Sequence, residues 1–396
     1  MGKLRMVLPP FSPDYSGVCS ALFSFGKRGI TVLHDAAGCT GNYTGYDEPR
    51  WYHSKSPVYC SGLREIDAIL GDDEKLMEKV IEAEETLKPE LIALVGSPVP
   101  MVVGTDMEGI AADLEGRTGI PVFGFDTTGL GSYQQGIELV YRKVLCRMLS
   151  EMEEKEVTLE KSAGNKGVVN ILGATPLDFG GSGTVEKLCR LLEQDGWQVQ
   201  TVLYQESSRE QILQIRYADC SVVVSGAALS FANYLKQNFG IPYITKLPFG
   251  EAYAKVWLRE LEACVFNKDR EDTSKEAKGW EKEPVRGLVL GEQIQSEAIR
   301  DGLWEAYKIR ADVGAVCGFY PETAQNGEVF LEEEAEIEQA INRESYEFVV
   351  GDPLYQGLLR KPKRFIPYAH YALSSKMGQK WEDCLIGSRL ESKIQL

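Results

Sequence analysis

The sequence predicts an α/β protein of three Rossmann-like domains, each a parallel sheet flanked by helices. Three observations predict it. Apolar, β-branched runs alternate with helix-period stretches along the whole chain, as buried parallel strands and their crossover helices require. The length, 396 residues, exceeds what one core ordinarily supports. Two sixteen-residue stretches, 151–166 and 268–283, hold eight and eleven charged residues and read as exposed connectors. They delimit domains at 1–155, 166–267 and 284–396.

In the first domain CSALFSF (19–25) reads as helical, and ITVL (30–33), SPVYC (56–60), ELIALVG (90–96) and IPVFGF (120–125) read as strands. A helix beginning near Gly131 places Ile137, Tyr141, Val144, Leu145 and Met148 on one stripe, the period of a helix with one buried face. In the second domain the strands are GVVNILGA (167–174), QVQTVL (198–203), CSVVVSGA (220–227) and IPYIT (241–245), with helices over 184–197 and 229–240. In the third, VRGLVLGE (285–292), VGAVCGF (313–319) and YEFVVGD (346–352) are strands, and 293–309 is helical.

The formal charge of −16 argues against nucleic acid, whose phosphates need a basic surface. No apolar run reaches bilayer length, and MGKLRMVLPPF lacks the apolar segment of a secretory signal; a cytoplasmic protein is expected, without membrane contact. Neither GxxxxGK[ST] nor a strand-linked GxGxxG occurs, so no nucleotide is expected on this chain. The stretch FGGSGTVEKL (179–188) is either an anion-holding helix N-terminus or an ordinary cap at Ser182 or Thr184.

The nine cysteines are odd in number and irregular in spacing, which excludes a disulfide framework. Cys146, Cys189, Cys220, Cys264, Cys317 and Cys384 stand singly among apolar residues and read as core positions. Cys19, Cys39 and Cys60 differ: each has glycine close by, in SGVC, AAGC and CSG. All three are expected where strands hand over to loops, on the side where such sheets bind ligands. Cys39 lies within HDAAGCTGNYTGYDEPRWY (34–52), read as a long loop without a regular element. Its aromatics Tyr43, Tyr46, Trp51 and Tyr52 suit interface packing.

Thiolates at element ends beside glycines suit an iron–sulfur cluster or zinc. A cluster usually takes four ligands, so Asp14, His34 or a residue of another chain would complete the three cysteines. That arithmetic points to a subunit interface. A Cys39–His34 nucleophile pair is the competing chemistry.

The segments LPPFSPDYSGVCSALF, VLHDAAGCTGNYTGYDEPRWY and VYCSGLREIDAILGDDEKL resemble component 1 of nitrogenase and its relatives, which include subunits of dark protochlorophyllide reductase. HDAAGC is similar to that family's HGxxGC turn, and TTGLGSYQQGIEL, NILGATPLDFG and FIPYAHYALSSK extend the resemblance. It implies three Rossmann-like domains and an interfacial cluster at Cys39, with an earlier ligand position that falls at Asp14, where one branch uses aspartate, and Cys19 five residues later; Cys60, without a standard counterpart in the family, would replace the third cysteine. It departs at Ser97, where a third cluster cysteine is expected, and near Val224, where a cofactor cysteine is expected but Cys220 lies four residues earlier. His370 falls in a plausible cavity region without being marked as a ligand.

The resemblance implies an oxidoreductase that does not fix nitrogen. It would be one chain of a homodimer, or would pair with a paralogous component 1 subunit. An ATP-dependent iron-protein reductase would deliver electrons through a [4Fe–4S] or larger P-cluster-like group to an unidentified substrate. Two alternatives remain: a non-catalytic metallocluster scaffold or carrier, and a metal-free protein that binds an anion in its interdomain cleft.

Overall fold

A computed structural model describes residues 8–46, 57–151, 165–180, 183–203, 207–266, 284–325, 327–374 and 384–389. Three wholly parallel sheets form the framework. The first contains β1 (Gly29–Leu33), β2 (Val58–Cys60), β3 (Leu91–Val95) and β4 (Val122–Phe125) in the order β2-β1-β3-β4. The second contains β5 (Gly167–Leu172), β6 (Trp197–Val202), β7 (Cys220–Val223) and β8 (Tyr243–Thr245) in the equivalent order β6-β5-β7-β8. The third contains β9 (Val285–Gly291), β10 (Arg310–Ala315), β11 (Glu328–Phe330), β12 (Phe348–Gly351) and β13 (Arg364–Pro367), ordered β11-β10-β9-β12-β13. Every residue of β1, β3, β4, β5, β7 and β12 is buried, which is why these strands read as continuous apolar runs.

In each sheet the chain runs outward on one side of the first strand, then returns to build on the other. The strand order therefore reverses beside β1, β5 and β9, and side chains at the carboxyl ends there face a crevice. In the first sheet, Leu33 pairs with both Cys60 and Val95, so the residues after β1, β2 and β3 meet at one point.

Helix α1 (Asp14–Leu22) precedes β1; α2 (Ala37–Tyr46) follows it. The latter corrects the expectation of an irregular loop over 34–52. A buried strand end must hand its chain to a covering element, and Asp35 receives the Ala36 N–H at 2.7 Å while Thr40 N–H bonds back to Ala36. This tertiary requirement outweighs the poor helix propensity of three glycines in ten residues. Arg50, Trp51 and Tyr52 lie outside the described residues, as do most of the two connectors and Gly181 and Ser182 of the glycine-rich stretch. Nothing is described for the side chains of Tyr43 and Tyr46.

The same sheet carries α3 (Glu65–Leu70), α4 (Asp73–Leu87), α5 (Pro98–Val103), α6 (Met107–Thr118) and α7 (Tyr133–Val140). Helix α7 starts at a capping box of Ser132 and Gln135 and continues through a π-turn over Tyr141–Leu145. The predicted stripe of Ile137, Tyr141, Val144, Leu145 and Met148 is buried throughout. Helices α1 and α7 cross at glycines. A Cβ on Gly17 would lie 1.8 Å from the Tyr133 carbonyl oxygen, and one on Gly136 would lie 1.9 Å from that of Asp14.

A buried ion network joins the second and third sheets. Lys246, just after β8, donates to Asp301 at 2.7 Å, and Arg300 pairs with Glu328. All four side chains are buried. Lys246 holds a left-handed backbone at φ 77°, a conformation the ion pair helps to offset. No helix among the described residues is long and apolar enough to cross a membrane.

Candidate functional site

Backbone hydrogen bonds frame the crevice at the carboxyl ends of β1, β2 and β3. His34 N–H bonds to Val95 O, Ser61 N–H to Leu33 O and Leu63 N–H to Asp35 O, all at 2.8–2.9 Å. Ser97 Oγ donates to His34 O at 3.1 Å. Ser97, at the position where the family resemblance expected a cysteine, therefore ties β1 to β3.

Cys60 ends β2 with its side chain half-buried. Its sulfur receives the Thr40 hydroxyl at 3.1 Å and the Gly62 N–H at 3.3 Å. Donors directed at sulfur stabilise a thiolate or a metal-bound cysteine. Cys39 is exposed in the first turn of α2, the chain neighbour of Thr40. Cys39 and Cys60 are thus brought to the same end of the first sheet, with Thr40 touching the Cys60 sulfur. The adjoining Gly38, Gly41 and Gly62 have open space where a Cβ would stand, leaving room for a bulky group.

Cys19 is placed differently. It is 0% exposed on α1, inside the main apolar core with Val18, Leu22, Ile137 and Val140. This corrects the expectation of a cysteine at a strand–loop junction. The neighbouring glycine, Gly17, serves the α1–α7 crossing and not a cofactor. Asp14 is also committed elsewhere. Its Oδ1 accepts the N–H groups of Tyr15 and Gly129 at 2.8 Å, and its Oδ2 accepts that of Thr128 at 3.0 Å. It fastens the TTGLGS loop to the start of α1. Among the described residues, no three or more histidine, cysteine or acidic side chains are gathered to hold a metal ion. Among the described residues, Cys39 and Cys60 therefore border the crevice, whereas Cys19 packs in the core and Asp14 binds the Thr128 and Gly129 amides.

His34 does not pair with Cys39. Its Nδ1 lies 2.9 Å from Ser61 Oγ. That hydroxyl also accepts the Asp35 N–H at 3.2 Å and lies 3.4 Å from Asp35 O. Either the imidazole or this hydroxyl donates across the 2.9 Å contact, according to the tautomer. Burial, followed by the charge of Lys79, lowers the His34 pKa to about 4.

A second constellation lies where the three sheets meet, and sequence reasoning missed most of it. Tyr133 OH donates to Asp178 Oδ1 at 2.7 Å, lies 3.0 Å from His370 Nε2 and 3.6 Å from Cys317 Sγ. Thr175 holds the other Asp178 oxygen at 3.0 Å, and Asp352 receives the His370 N–H at 2.9 Å. Glu292 accepts N–H groups of Gly226 and Gln295 at 2.9 Å, yet burial, then Asp178, raises its pKa to about 7. Burial likewise raises Tyr133 and Cys317 well above their ordinary values. Aromatic rings fill the junction: Tyr320 lies where a Cβ on Gly226 would be, and Tyr371 where one on Gly180 would be. The one sequence signal was His370 in PYAHYAL; Tyr133 read only as part of a helix start, and Cys317 as core.

Residues 15–286, well over half of the chain, match the family described as nitrogenase component 1 type oxidoreductase. Among curated proteins, the nitrogenase iron-molybdenum cofactor biosynthesis protein NifE of Clostridium pasteurianum is 26% identical over 62% of this chain and 52% of its own length. The nitrogenase molybdenum-iron protein alpha chain of the same organism is 23% identical over 63% of this chain and 46% of its own. One subunit of the light-independent protochlorophyllide reductase of Zygnema circumcarinatum is 25% identical over 53% of this chain and 41% of its own. The chain spans about half the length of the curated relatives it matches. The solved structure of nitrogenase Cp1 at pH 5 shares the fold, with a TM-score of 0.61 at 14% identity, covering 94% of this chain and 85% of that one.

Proposed function

This chain belongs to the nitrogenase component 1 type oxidoreductases, and we propose that it is a reductase subunit receiving electrons from an ATP-dependent iron-protein partner through a shared iron–sulfur cluster. The observation that carries this reading is the pair of surface cysteines at the first switch point. Cys39 and Cys60 would supply two ligands, and a second copy or a paralogous subunit the other two, giving the usual four. The cluster would supply one-electron transfer at a potential set by its hydrogen bonds and exposure. Thr40 and the Gly62 amide, 3.1 and 3.3 Å from the Cys60 sulfur, would stabilise the ligating thiolate. His34, Ser61 and Ser97 fix the crevice walls. Cys19 and Asp14 act as structural residues in this scheme.

A second reading is a non-catalytic scaffold that carries a metallocluster on the same two cysteines. The filled junction at Tyr133, Tyr320 and Tyr371 favours it, because packed rings leave the centre of the molecule to side chains. Both readings predict iron; turnover separates them.

The test is the iron and acid-labile sulfide content of protein purified without oxygen, for the wild type and for Cys39→Ser, Cys60→Ser and Cys19→Ser. Loss of iron in the first two variants, with retention in folded Cys19→Ser, is expected. Iron that survives both surface substitutions would sink the ligand assignment.

A further inference from the structure

We infer that Cys220 and Cys264 form a redox-sensitive pair, at which a hydroperoxide converts two thiols into one reversible disulfide. The site is separate from the surface cysteines Cys39 and Cys60 and does not depend on the proposed function.

The two residues lie 44 apart in sequence, and the fold brings their sulfurs to 3.6 Å from each other. Cys220 opens β7 and stands in register with Val169 of β5. Cys264 lies in the last turn of the helix Glu251–Phe266, which packs on β7 and β8. Both are thiols. A disulfide holds its sulfurs at about 2.05 Å, so this pair must close by roughly 1.5 Å. Side-chain rotation with a small shift of the helix end supplies that movement, because helix ends fray more readily than an interior strand.

Their surroundings give the two sulfurs different tasks. Cys264 is half-buried, whereas Cys220 is 0% exposed, so a small oxidant reaches Cys264 first. Its sulfur takes one oxygen from hydrogen peroxide, giving a sulfenic acid and a first water. The Cys220 sulfur then attacks Cys264 Sγ. The S–S bond forms, the S–O bond breaks, and the hydroxyl leaves with the Cys220 proton as a second water. The two thiols have lost two hydrogens, and the peroxide has been reduced to two waters. The Cys264 sulfur beside it, then burial, hold the Cys220 thiol well above its ordinary range. That keeps Cys220 unreactive until a sulfenic acid forms next to it, and proximity then offsets its weak acidity.

The position gives the bridge a mechanical consequence. The helix Glu251–Phe266 also packs against the helix Gln293–Tyr307, which carries Arg300 and Asp301 of the buried ion network. A bridge to β7 pins the end of the first helix to the second sheet and so stiffens the joint between the second and third units. Cys220 is at the amino end of its strand, so the bridge forms away from the crevices at the carboxyl ends.

In the test, the full chain is reduced, freed of reductant without oxygen and exposed to hydrogen peroxide. Alkylation of the remaining thiols and mass spectrometry of the digest then locate the products. The expected result is a peptide pair joined through Cys220 and Cys264 and released by dithiothreitol. It should form about ten-fold or more faster than oxidation at the half-buried Cys146 and Cys189. Hydrogen exchange in the last turns of the helix should slow on oxidation and recover on reduction. Cys264→Ser should leave the Cys220 thiol unmodified, whereas Cys220→Ser should let Cys264 pass on to sulfinic acid. The bridge should form equally in Cys39→Ser/Cys60→Ser protein, which separates it from oxidation driven by bound iron. The wild-type digest decides the matter even where a variant fails to fold. Peroxide that oxidises Cys146 or Cys189 while Cys220 and Cys264 stay reduced overturns the inference. So does a bridge that forms only in urea, or one that requires Cys39 and Cys60.

Discussion

Cys19, Cys39 and Cys60 show how alike three residues look in sequence and how unlike they become in the fold. Each has a nearby glycine, but Gly17 lets two helices touch, whereas Gly38 and Gly62 leave open space beside a sulfur. Only the packing partner separates those cases, and it lies more than a hundred residues away at Tyr133. Cys60 was legible because a strand end is visible in SPVYC. Cys19 was not, because a helix buried on all sides has no polar face to mark it. Glu292 gives a residue-scale prediction in pH. Its folded pKa of about 7 stands above the ordinary 4.5. Between those values the unfolded chain has released a proton that the folded chain still holds. Stability should therefore fall as pH rises through this window, by up to about 1.4 kcal/mol per pH unit from this group, and the contribution is gone above pH 7. Denaturant titrations from pH 5 to 7 on wild type and Glu292→Gln check it: the variant should lose that part of the slope. An unchanged slope would assign the titration elsewhere.

At the scale of elements, strands were the most readable features, since a buried parallel strand must be apolar throughout. The helix at Ala37–Tyr46 was hidden by its glycines, because the need to cover a strand end, and not local propensity, makes it helical. The α1–α7 crossing was also hidden: the glycines of SGVC and YQQG are visible, but their mutual contact is not. That crossing is predicted to be intolerant of a single methyl group. Gly136→Ala would press a Cβ onto the Asp14 carbonyl, 1.9 Å away in the unrelaxed geometry. The helices must separate, at a cost of about 1–3 kcal/mol in denaturant unfolding. Gly116→Ala, at a helical position with open space around its Cβ, should instead be neutral or slightly stabilising.

Across the whole molecule, three sheets of similar winding place three switch points in one chain, yet they differ in use. The first opens to the surface with two cysteines. All three units meet at the filled junction, and the Lys246–Asp301 pair ties the second to the third, with Arg300–Glu328 beside it inside the third. These contacts join side chains far apart in sequence, so no local pattern could announce them; LVLGE and ITK look like ordinary strand ends. Lys246 also faces Glu297 at 3.9 Å and Asp301 also faces Arg300 at 3.3 Å, so removing Lys246 leaves the buried acids with one cation fewer. Lys246→Met should thus cost towards the lower end of about 3–5 kcal/mol, measured by urea unfolding, and should loosen the third sheet from the second in hydrogen exchange. The double change Lys246→Met/Asp301→Leu should recover part of that loss. Failure of the double variant to recover any would mean that Asp301 matters through contacts other than this pair.

The central claim is that each chain contributes half of a cluster's ligands from one exposed face. Native mass spectrometry of protein prepared without oxygen tests it most directly, because it counts chains, irons and sulfides in one particle. The account predicts a two-chain particle with about four irons and four sulfides bound between its subunits, and an iron-free particle when Cys39 and Cys60 are both serine. A single chain that carries a complete cluster, or a stable dimer reconstituted under reducing conditions that takes up no iron, would contradict it.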